Sequence, residues 1–232
     1  MALVKFGGGI TQMTGSIGGT TFARNRYGNY ARARTKPTNP NTAGQQIVRA
    51  ALAELTVRWA QTLTAGQRTG WNQYGSIVLM KNKLGEDIIL SGFNHYIRSN
   101  AIRHSQAVAP VDAAPVIFEL PAQDPTLALT ASEATQQLSM VIDNTMDWAT
   151  EDGALIFFFQ GQPQNAQRNF FAGPWRYLTA IAGIDPGGAA TPVVANAVFA
   201  IAETQHLWVY ARIQRADGRI STPFRADILV AA

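Results

Sequence analysis

The sequence predicts an α+β protein with three parts: an extended N-terminal arm, a small three-helix unit and a C-terminal antiparallel β-sandwich of the immunoglobulin or fibronectin type III kind. Three observations lead to this class. Two Thr-x-x-Gln helix starts lie 22 residues apart, four prolines fall between residues 107 and 125, and seven short strand-like segments follow. The predicted boundaries are 1–40 for the arm, 41–106 for the helical domain, 107–125 for a proline-rich linker and 126–232 for the sandwich domain.

The composition is that of a globular protein, because 47% of the 232 residues are hydrophobic and 15% are charged. The chain contains no cysteine, which excludes disulfides, thiolate catalysis and cysteine-based metal sites. The charge is divided unevenly. Residues 1–104 hold 13 Lys and Arg against 3 acidic residues, net +10, whereas residues 105–232 hold 6 Arg against 12 acidic residues, net −6. This division indicates two parts with different electrostatic partners.

Residues 1–40 are rich in glycine, which occurs at positions 7, 8, 9, 15, 18, 19 and 28. Glycine at this density disfavours a helix and leaves the backbone permissive. We therefore expect an arm that becomes ordered against another molecule.

Within the arm, aromatic and arginine side chains recur at every second position on either side of Tyr27-Gly28-Asn29. A three-residue loop there would place both groups on one face of a hairpin, whereas a two-residue loop would place them on opposite faces. A single face would carry four guanidinium groups and two rings, which suits carboxylates or phosphates. The alternative is a solvated basic tail. The candidate binding residues are Phe22, Arg24, Arg26, Tyr30, Arg32 and Arg34.

Three helix starts are predicted by capping residues. Thr42 with Gln45 and Thr64 with Gln67 form capping boxes, and Ser91 precedes a third amphipathic segment. Apolar residues then recur at spacings of three and four, as in helices with one buried face. The residues predicted to face inward are Val48, Leu52, Leu55 and Trp59 in the first helix, Trp71, Tyr74 and Val78 in the second, and Phe93, Tyr96, Ile97 and Ala101 in the third.

Prolines at 110, 115, 121 and 125 predict a linker or the entry to an edge strand. The strand-like segments beyond it alternate with turn residues, and Trp148, Trp175 and Trp208 are the expected core anchors. Because the Cys…Trp…Cys signature of true immunoglobulin domains is absent, the pattern predicts the architecture alone. The predicted strands cover residues 127–130, 138–142, 154–160, 175–181, 193–201, 207–214 and 220–230.

No combination of residues predicts a catalytic centre. His95 and His104 are nine residues apart on one predicted helix and face different directions, while His206 belongs to the sandwich. No serine stands in a Gly-x-Ser-x-Gly motif, and the glycine-rich start lacks the Gly-Lys-Ser/Thr ending of a phosphate-binding loop. We expect a protein that is not an enzyme and needs no cofactor.

One loop is rich in acidic residues and is the candidate for a calcium site, because sandwich loops can bind Ca²⁺ through such oxygens. Its spacing matches no EF-hand loop, and acids in a turn usually face water. We therefore expect no metal. The residues are Asp143, Asp147, Glu151 and Asp152.

The N-terminus lacks the apolar run of a secretory signal, and no stretch approaches the roughly 18 apolar residues of a membrane span. We expect the chain to stay in the compartment where it is made, without membrane association.

Three stretches, NPNTAGQQIVRAAL, LTAGQRTGWNQYG and LSGFNHYIRSN, follow the arginine-rich segment RNRYGNYARART. Together they resemble a group of virion structural proteins encoded by tailed bacteriophages and prophages. The resemblance covers roughly the first hundred residues. The C-terminal half is similar only as an immunoglobulin-like sandwich, a module often appended to phage surface proteins.

The resemblance implies a non-enzymatic virion protein, made in the bacterial host cytoplasm, that contacts the major capsid protein or neighbouring virion proteins. The interpretation we place first is a capsid decoration or cement protein, anchored by its basic arm and helices and assembled as a homo-oligomer. One alternative is a DNA-contacting head–tail connector or internal virion protein. Another is a host-surface adhesin that acts through the sandwich, with Phe170, Phe171 and Trp175 as its candidate contact residues.

Overall fold

The computed structural model describes residues 2–3, 7–10, 12–25, 28–36, 38–82 and 85–230. Within these residues the chain forms three α-helices and four antiparallel sheets, which confirms the predicted α+β class. Contacts divide the chain into an N-terminal unit, residues 1–45, and a C-terminal unit, residues 46–232. Each unit is described by itself below.

The described part of the N-terminal unit is a small antiparallel sheet, so the prediction of an extended arm is wrong for these residues. Its strands pair in the order β1-β4-β3-β2, and backbone hydrogen bonds between neighbouring strands give the glycine-rich chain a regular structure. The strands are β1 (Ala2–Leu3), β2 (Gly15–Ile17), β3 (Thr20–Asn25) and β4 (Gly28–Ala33).

The register of β3 and β4 decides between the two loop lengths that the sequence left open. Asn25 pairs with Gly28, so two residues, and not three, connect the strands. Because side chains alternate along a strand, a loop shorter by one residue moves one strand's set to the opposite face. Arg24 lies opposite Asn29, whereas Arg32 lies opposite Thr21.

Three helices begin the C-terminal part of the chain, and their starts are as predicted. In α2 the Thr64 backbone N–H donates to Gln67 Oε1 at 2.8 Å, and the Gln67 N–H donates to Thr64 Oγ1 at 3.2 Å. The Ser91 hydroxyl caps α3 by accepting from the Asn94 N–H at 3.3 Å. The helices are α1 (Ala43–Val57), continued by a π-helical segment (Arg58–Thr62), α2 (Ala65–Ile77) and α3 (Gly92–Ser105); β5 (Met80–Lys81) and β6 (Asp87–Ile88) form a hairpin between α2 and α3.

The helices enclose a small core. Its buried members are Leu55, Leu63, Trp71, Tyr74, Val78 and Tyr96. Helices α2 and α3 approach closely because both have glycine at the crossing: a Cβ on Gly92 would lie 2.4 Å from the Asn72 nitrogen. Two predictions fail in α1, where Val48 is 55% exposed and Leu52 is 40% exposed. The first half of this helix extends beyond the residues that form the core.

The proline-rich segment 107–125 has no helix or strand, but it is packed against the helices. Ala114 and Leu120 contact the helical core. The Asn100 amide donates to the Val111 carbonyl at 3.0 Å and its oxygen accepts from the Val111 N–H at 2.7 Å. The contacts of this segment place it and the helices in one compact unit with the sheets that follow, whereas the sequence suggested separate domains.

Seven antiparallel strands complete the chain, as predicted. They form two sheets, in the orders β10-β9-β12-β13 and β11-β8-β7, and apolar side chains from both sheets share one core. We call this part, residues 126–230, the two-sheet module. The strands are β7 (Ala128–Ser132), β8 (Gln137–Val141), β9 (Leu155–Gly161), β10 (Trp175–Ala182), β11 (Val193–Asn196), β12 (His206–Gln214) and β13 (Phe224–Leu229).

The three tryptophans of this module do not all anchor its core. Trp148 is 1% exposed and belongs to the core, as predicted. Trp175 and Trp208 lie on the outer face of the four-stranded sheet. On β12 the alternate residues Leu207 and Val209 face the core, so Trp208 between them faces away.

Helix α3 is fastened to the two-sheet module by polar side chains. The Arg98 guanidinium donates to the carbonyls of Ile220 and Ser221, each at 2.9 Å. The Gln214 amide donates to the Ser99 carbonyl at 2.7 Å. Burial lowers the pKa of Arg98 to about 10, so this side chain remains charged at neutral pH.

Candidate interaction surfaces

The N-terminal unit carries positive charge that it cannot neutralise itself. Residues 1–45 contain six Lys and Arg, and the first acidic residue of the chain is Glu54. Of the candidate residues, Arg24, Arg32 and Arg34 are exposed. The aromatic Phe22 and Tyr30 are partly buried, and Arg26 lies outside the described residues.

The described side chains of this sheet form no core. No described side chain from residue 7 to residue 45 is buried. Its polar contacts include Arg24 Nη1 donating to Gln12 Oε1 at 3.5 Å and the Ser16 and Thr21 hydroxyl oxygens 2.8 Å apart. Side chains that are not buried contribute little stability, and a partner that covered them would add to it.

The two faces of the sheet present different candidate residues. Phe22 and Arg24 share one face, and Tyr30 and Arg32 share the other. Arg24 and Arg32 therefore lie on opposite faces, so each face carries an exposed guanidinium group. Each can donate charge-assisted hydrogen bonds to carboxylates, so the unit could contact partners on both sides.

The histidines do not form a shared site. His95 is 1% exposed in the helical core, where its ring lies 5.1 Å from that of Tyr74, and burial together with nearby Arg98 lowers its pKa. His104 pairs with Glu54 at 2.7 Å, and His206 pairs with Asp227 at 2.7 Å. Each histidine thus has its own structural environment.

The acidic loop is occupied by hydrogen bonds to the protein itself. Asp143 accepts from the Thr145 N–H and hydroxyl, and Asp152 accepts from the Asp185 N–H at 3.1 Å. Glu151 pairs with Arg215. Among the described residues, no group of three or more His, Asp and Glu side chains is placed to hold a metal ion.

A surface that the sequence analysis did not assemble lies on the outer side of the four-stranded sheet. Six aromatic side chains from β9, β10, β12 and the loop before β10 meet there, and we call them the aromatic face. Only the adhesin alternative pointed at this region. Aromatic residues at every second position of β9 and β12 are the signal in the sequence that could have indicated this surface. The uninterrupted run Phe157-Phe158-Phe159 instead predicts a strand that is buried on both faces. Its members are Phe159, Phe171, Trp175, Tyr177, Trp208 and Tyr210.

Within the described residues, no helix combines the length and apolar character needed to cross a membrane. No protein-family model matches the chain, and no curated protein does either. Among solved structures, the adhesin domain of Epf from Streptococcus pyogenes is similar in part, with 12% identity and a TM-score of 0.29. That match covers 48% of this chain and 32% of the other. A likeness this weak carries no conclusion about fold or function.

Proposed function

We propose that this chain is a non-enzymatic structural protein of a bacteriophage virion, foremost a capsid decoration or cement protein. The observation that supports it most is the N-terminal unit, which combines six basic residues, no acidic residue and no buried described side chain. Such a unit is stabilised when an acidic protein surface covers it, because ion pairs and burial are then gained together. Its partner would be the major capsid protein or a neighbouring virion protein.

Helix α1 supplies a second, apolar contact in this proposal. Ile47 is 53% exposed and Val48 is 55% exposed, and with Leu52 they extend the helix face that is buried at Ala51 and Leu55. An apolar surface beyond the core is the usual mark of a site where another chain binds. In this proposal the basic sheet and helix α1 both contribute to anchoring, and several copies of the protein bind to each particle.

We further propose that the two-sheet module is an immunoglobulin or fibronectin type III sandwich. Its seven antiparallel strands, divided four and three over one core, support this type.

The test is incorporation into particles of a variant in which Arg24, Arg26, Arg32 and Arg34 are all replaced by Ser. We expect this variant to be missing from purified virions, while its thermal unfolding resembles that of the wild type. A control with the same loss of charge in the C-terminal unit should be incorporated normally. It replaces Lys81, Lys83, Arg168 and Arg176 by Ser. Normal incorporation of the first variant would refute the anchoring role.

Binding of DNA is a second candidate function, favoured by the absence of carboxylates from the N-terminal unit. The separation of Arg24 from Arg32 onto opposite faces argues for few simultaneous phosphate contacts, because one duplex would meet one face. Filter binding of duplex DNA at two salt concentrations distinguishes the proposals. A DNA-binding role requires affinity that falls steeply with salt and is lost in the four-arginine variant, even without capsid protein.

A further inference from the structure

The aromatic face is a continuous surface of rings on the outer side of the four-stranded sheet. The rings of Phe159 and Tyr210, from paired positions on β9 and β12, stack with centroids 4.6 Å apart and an angle of 7°. Tyr177 on β10 meets Phe159 edge to face at 5.8 Å. Trp175 meets Tyr210 in the same way at 5.0 Å. Each ring thus packs against at least one other ring of the surface in a stacked or edge-to-face geometry.

The shape of the surface depends on Gly161. A Cβ at this position would lie 2.6 Å from the Phe171 ring, so the absent side chain leaves room for Phe171 to lie across the sheet. Phe171 then stacks on Trp208 at 5.8 Å and meets Trp175 edge to face at 5.0 Å. Phe171 and Trp208 are buried, whereas Trp175 and Tyr210 beside them are partly exposed.

Part of this surface is open to solvent although it consists of large rings. Phe159, Trp175, Tyr177 and Tyr210 are each partly exposed, and the neighbouring Phe170 is 65% exposed. A surface of this kind resembles a ligand-binding platform more than a protein core, because apolar side chains of this size are normally covered.

Polar groups of both signs border the rings. The Arg225 guanidinium carbon lies 5.4 Å from the Trp175 ring centre and 5.9 Å from that of Phe170, and its Nη1 donates to the Phe171 carbonyl at 3.0 Å. Asp227 lies next along the outer side of β13, and its Oδ2 accepts a hydrogen bond from His206 Nε2 at 2.7 Å; its side chain is 53% exposed. Arg212 also borders the rings, with its guanidinium carbon 6.0 Å from the Tyr210 ring centre. The border therefore offers hydrogen-bond donors together with the Asp227 acceptor.

We propose that the aromatic face binds the sugar rings of a neutral oligosaccharide. The C–H groups of a sugar ring carry slight positive charge and lie favourably on the negative face of an aromatic ring. Sugar hydroxyl groups both donate and accept hydrogen bonds, which matches a border that holds Arg225 and Asp227 together. This binding site is independent of the anchoring role of the N-terminal unit.

The exposed Asp227 acceptor and the arrangement of the rings favour this ligand over two others. A nucleic acid strand could stack its bases on the rings and place phosphates near Arg212 and Arg225, but its phosphates have no hydrogen to donate to Asp227, whereas sugar hydroxyl groups do. A proline-rich peptide needs a groove between aromatic side chains, whereas these rings tile a sheet face. A neutral, polyhydroxylated ligand meets neither objection.

The test uses the full chain and a panel of neutral tetrasaccharides built of glucose, galactose or N-acetylglucosamine. Binding is followed by tryptophan fluorescence and by calorimetry. We expect at least one member to bind with a dissociation constant of about 1 mM or tighter, with little dependence on salt. Tyr177→Ala and Phe170→Ala should each weaken binding by about three- to tenfold, since each removes one ring from the surface.

Phe118→Ala is the matched control, because Phe118 is 39% exposed but lies against Tyr74 in the helical part. It should bind the oligosaccharide like the wild type. The four-arginine variant should also bind normally, so failure of the anchoring proposal would leave this result unchanged. The proposal is overturned if no tetrasaccharide of the panel binds, if Phe170→Ala and Tyr177→Ala bind normally, or if poly-L-proline or single-stranded DNA binds this face instead.

Discussion

Asp112, in the proline-rich segment, accepts two parallel hydrogen bonds from Arg58 at the end of α1. The distances are 2.8 Å from Nε to Oδ1 and 2.6 Å from Nη2 to Oδ2. The same residue accepts from Trp71 of α2 through its backbone carbonyl, at 2.9 Å, and from the Tyr96 hydroxyl of α3, at 3.3 Å. One residue outside the helices thus holds all three of them.

We expect Asp112→Ala to lower the free energy of unfolding by about 1.5–3 kcal/mol, because a bidentate ion pair and a hydrogen bond are lost in a partly buried place. Burial and the nearby carboxylate raise the pKa of Tyr96, so its phenol stays protonated and would lose its acceptor. Urea unfolding followed by tryptophan fluorescence measures the change. Asp147→Ala is the control, since its side chain is 92% exposed and should shift stability by less than about 0.5 kcal/mol. Equal effects of the two substitutions would contradict the role of Asp112.

Arg98→Met should lower the free energy of unfolding by about 2–4 kcal/mol. Two charge-assisted hydrogen bonds are lost, and the Ile220 and Ser221 carbonyls are left without this donor in the interface between α3 and the sheets. Methionine keeps much of the volume of the arginine side chain, so the change in the free energy of unfolding reports the loss of the polar contacts. Arg176→Met is the control: the Arg176 side chain is exposed and its guanidinium carbon lies 4.7 Å from the Phe199 ring centre, so this change should cost less than about 1 kcal/mol. A stability of Arg98→Met equal to that of the control would show that this contact is dispensable.

The buried His95 predicts a loss of stability in acid. Its pKa in the folded protein is lowered from 6.5, so below that pH the unfolded chain binds a proton that the folded chain does not. The free energy of unfolding should therefore fall as the pH decreases from about 6.5 towards the lower folded pKa. The measurement is a series of urea unfolding curves between neutral pH and about pH 5.

His95→Gln should remove this part of the pH dependence, whatever its effect on stability at neutral pH. Tyr74→Phe serves as the control, because it keeps the aromatic ring beside His95, and burial raises the pKa of the phenol that it removes to about 12, far above this pH range. We expect this control to keep the slope of the wild type. If His95→Gln also keeps it, the pH dependence has another origin.

Gly92→Ala should destabilise the protein by at least about 2 kcal/mol. The added methyl group would lie 2.4 Å from the Asn72 nitrogen and 2.5 Å from the Trp71 carbonyl carbon, and backbone atoms in a helix cannot move aside cheaply. Gly44→Ala in α1 is the matched control, because nothing lies within 4 Å of its added carbon. It should raise the unfolding free energy by about 0.5–1 kcal/mol, as expected for alanine in a helix. Thermal unfolding of both variants gives the comparison, and a stabilising effect of Gly92→Ala would refute the close helix crossing.

Several elements could be predicted from the sequence because their signals are local. The Thr64 and Ser91 caps depend on residues three positions away, and the seven strands depend on alternation and turn residues within each segment. The inward positions of Trp71, Tyr74 and Tyr96 followed from helical spacing.

Other features could not be predicted because they depend on distant parts of the chain. Whether Val48 is covered depends on where the other helices end, and it is exposed. The sequence analysis placed Trp175 and Trp208 in the core, because large rings usually lie there. In the structure both pack against Phe171 on the outer face of the sheet. The face on which Arg24 and Arg32 lie changed with a single residue in the loop between β3 and β4.

The sequence by itself determined the α+β class, the helix starts, the number of strands of the two-sheet module and the concentration of positive charge before Glu54. These follow from hydrogen bonds, turns and charges within a few residues of one another. Only the tertiary structure decided that Asp112 joins the three helices, that Arg98 fastens α3 to the sheets, and that six rings meet on one sheet face. These relationships join residues far apart in the chain, and strand register and packing, which no local pattern encodes, bring them together.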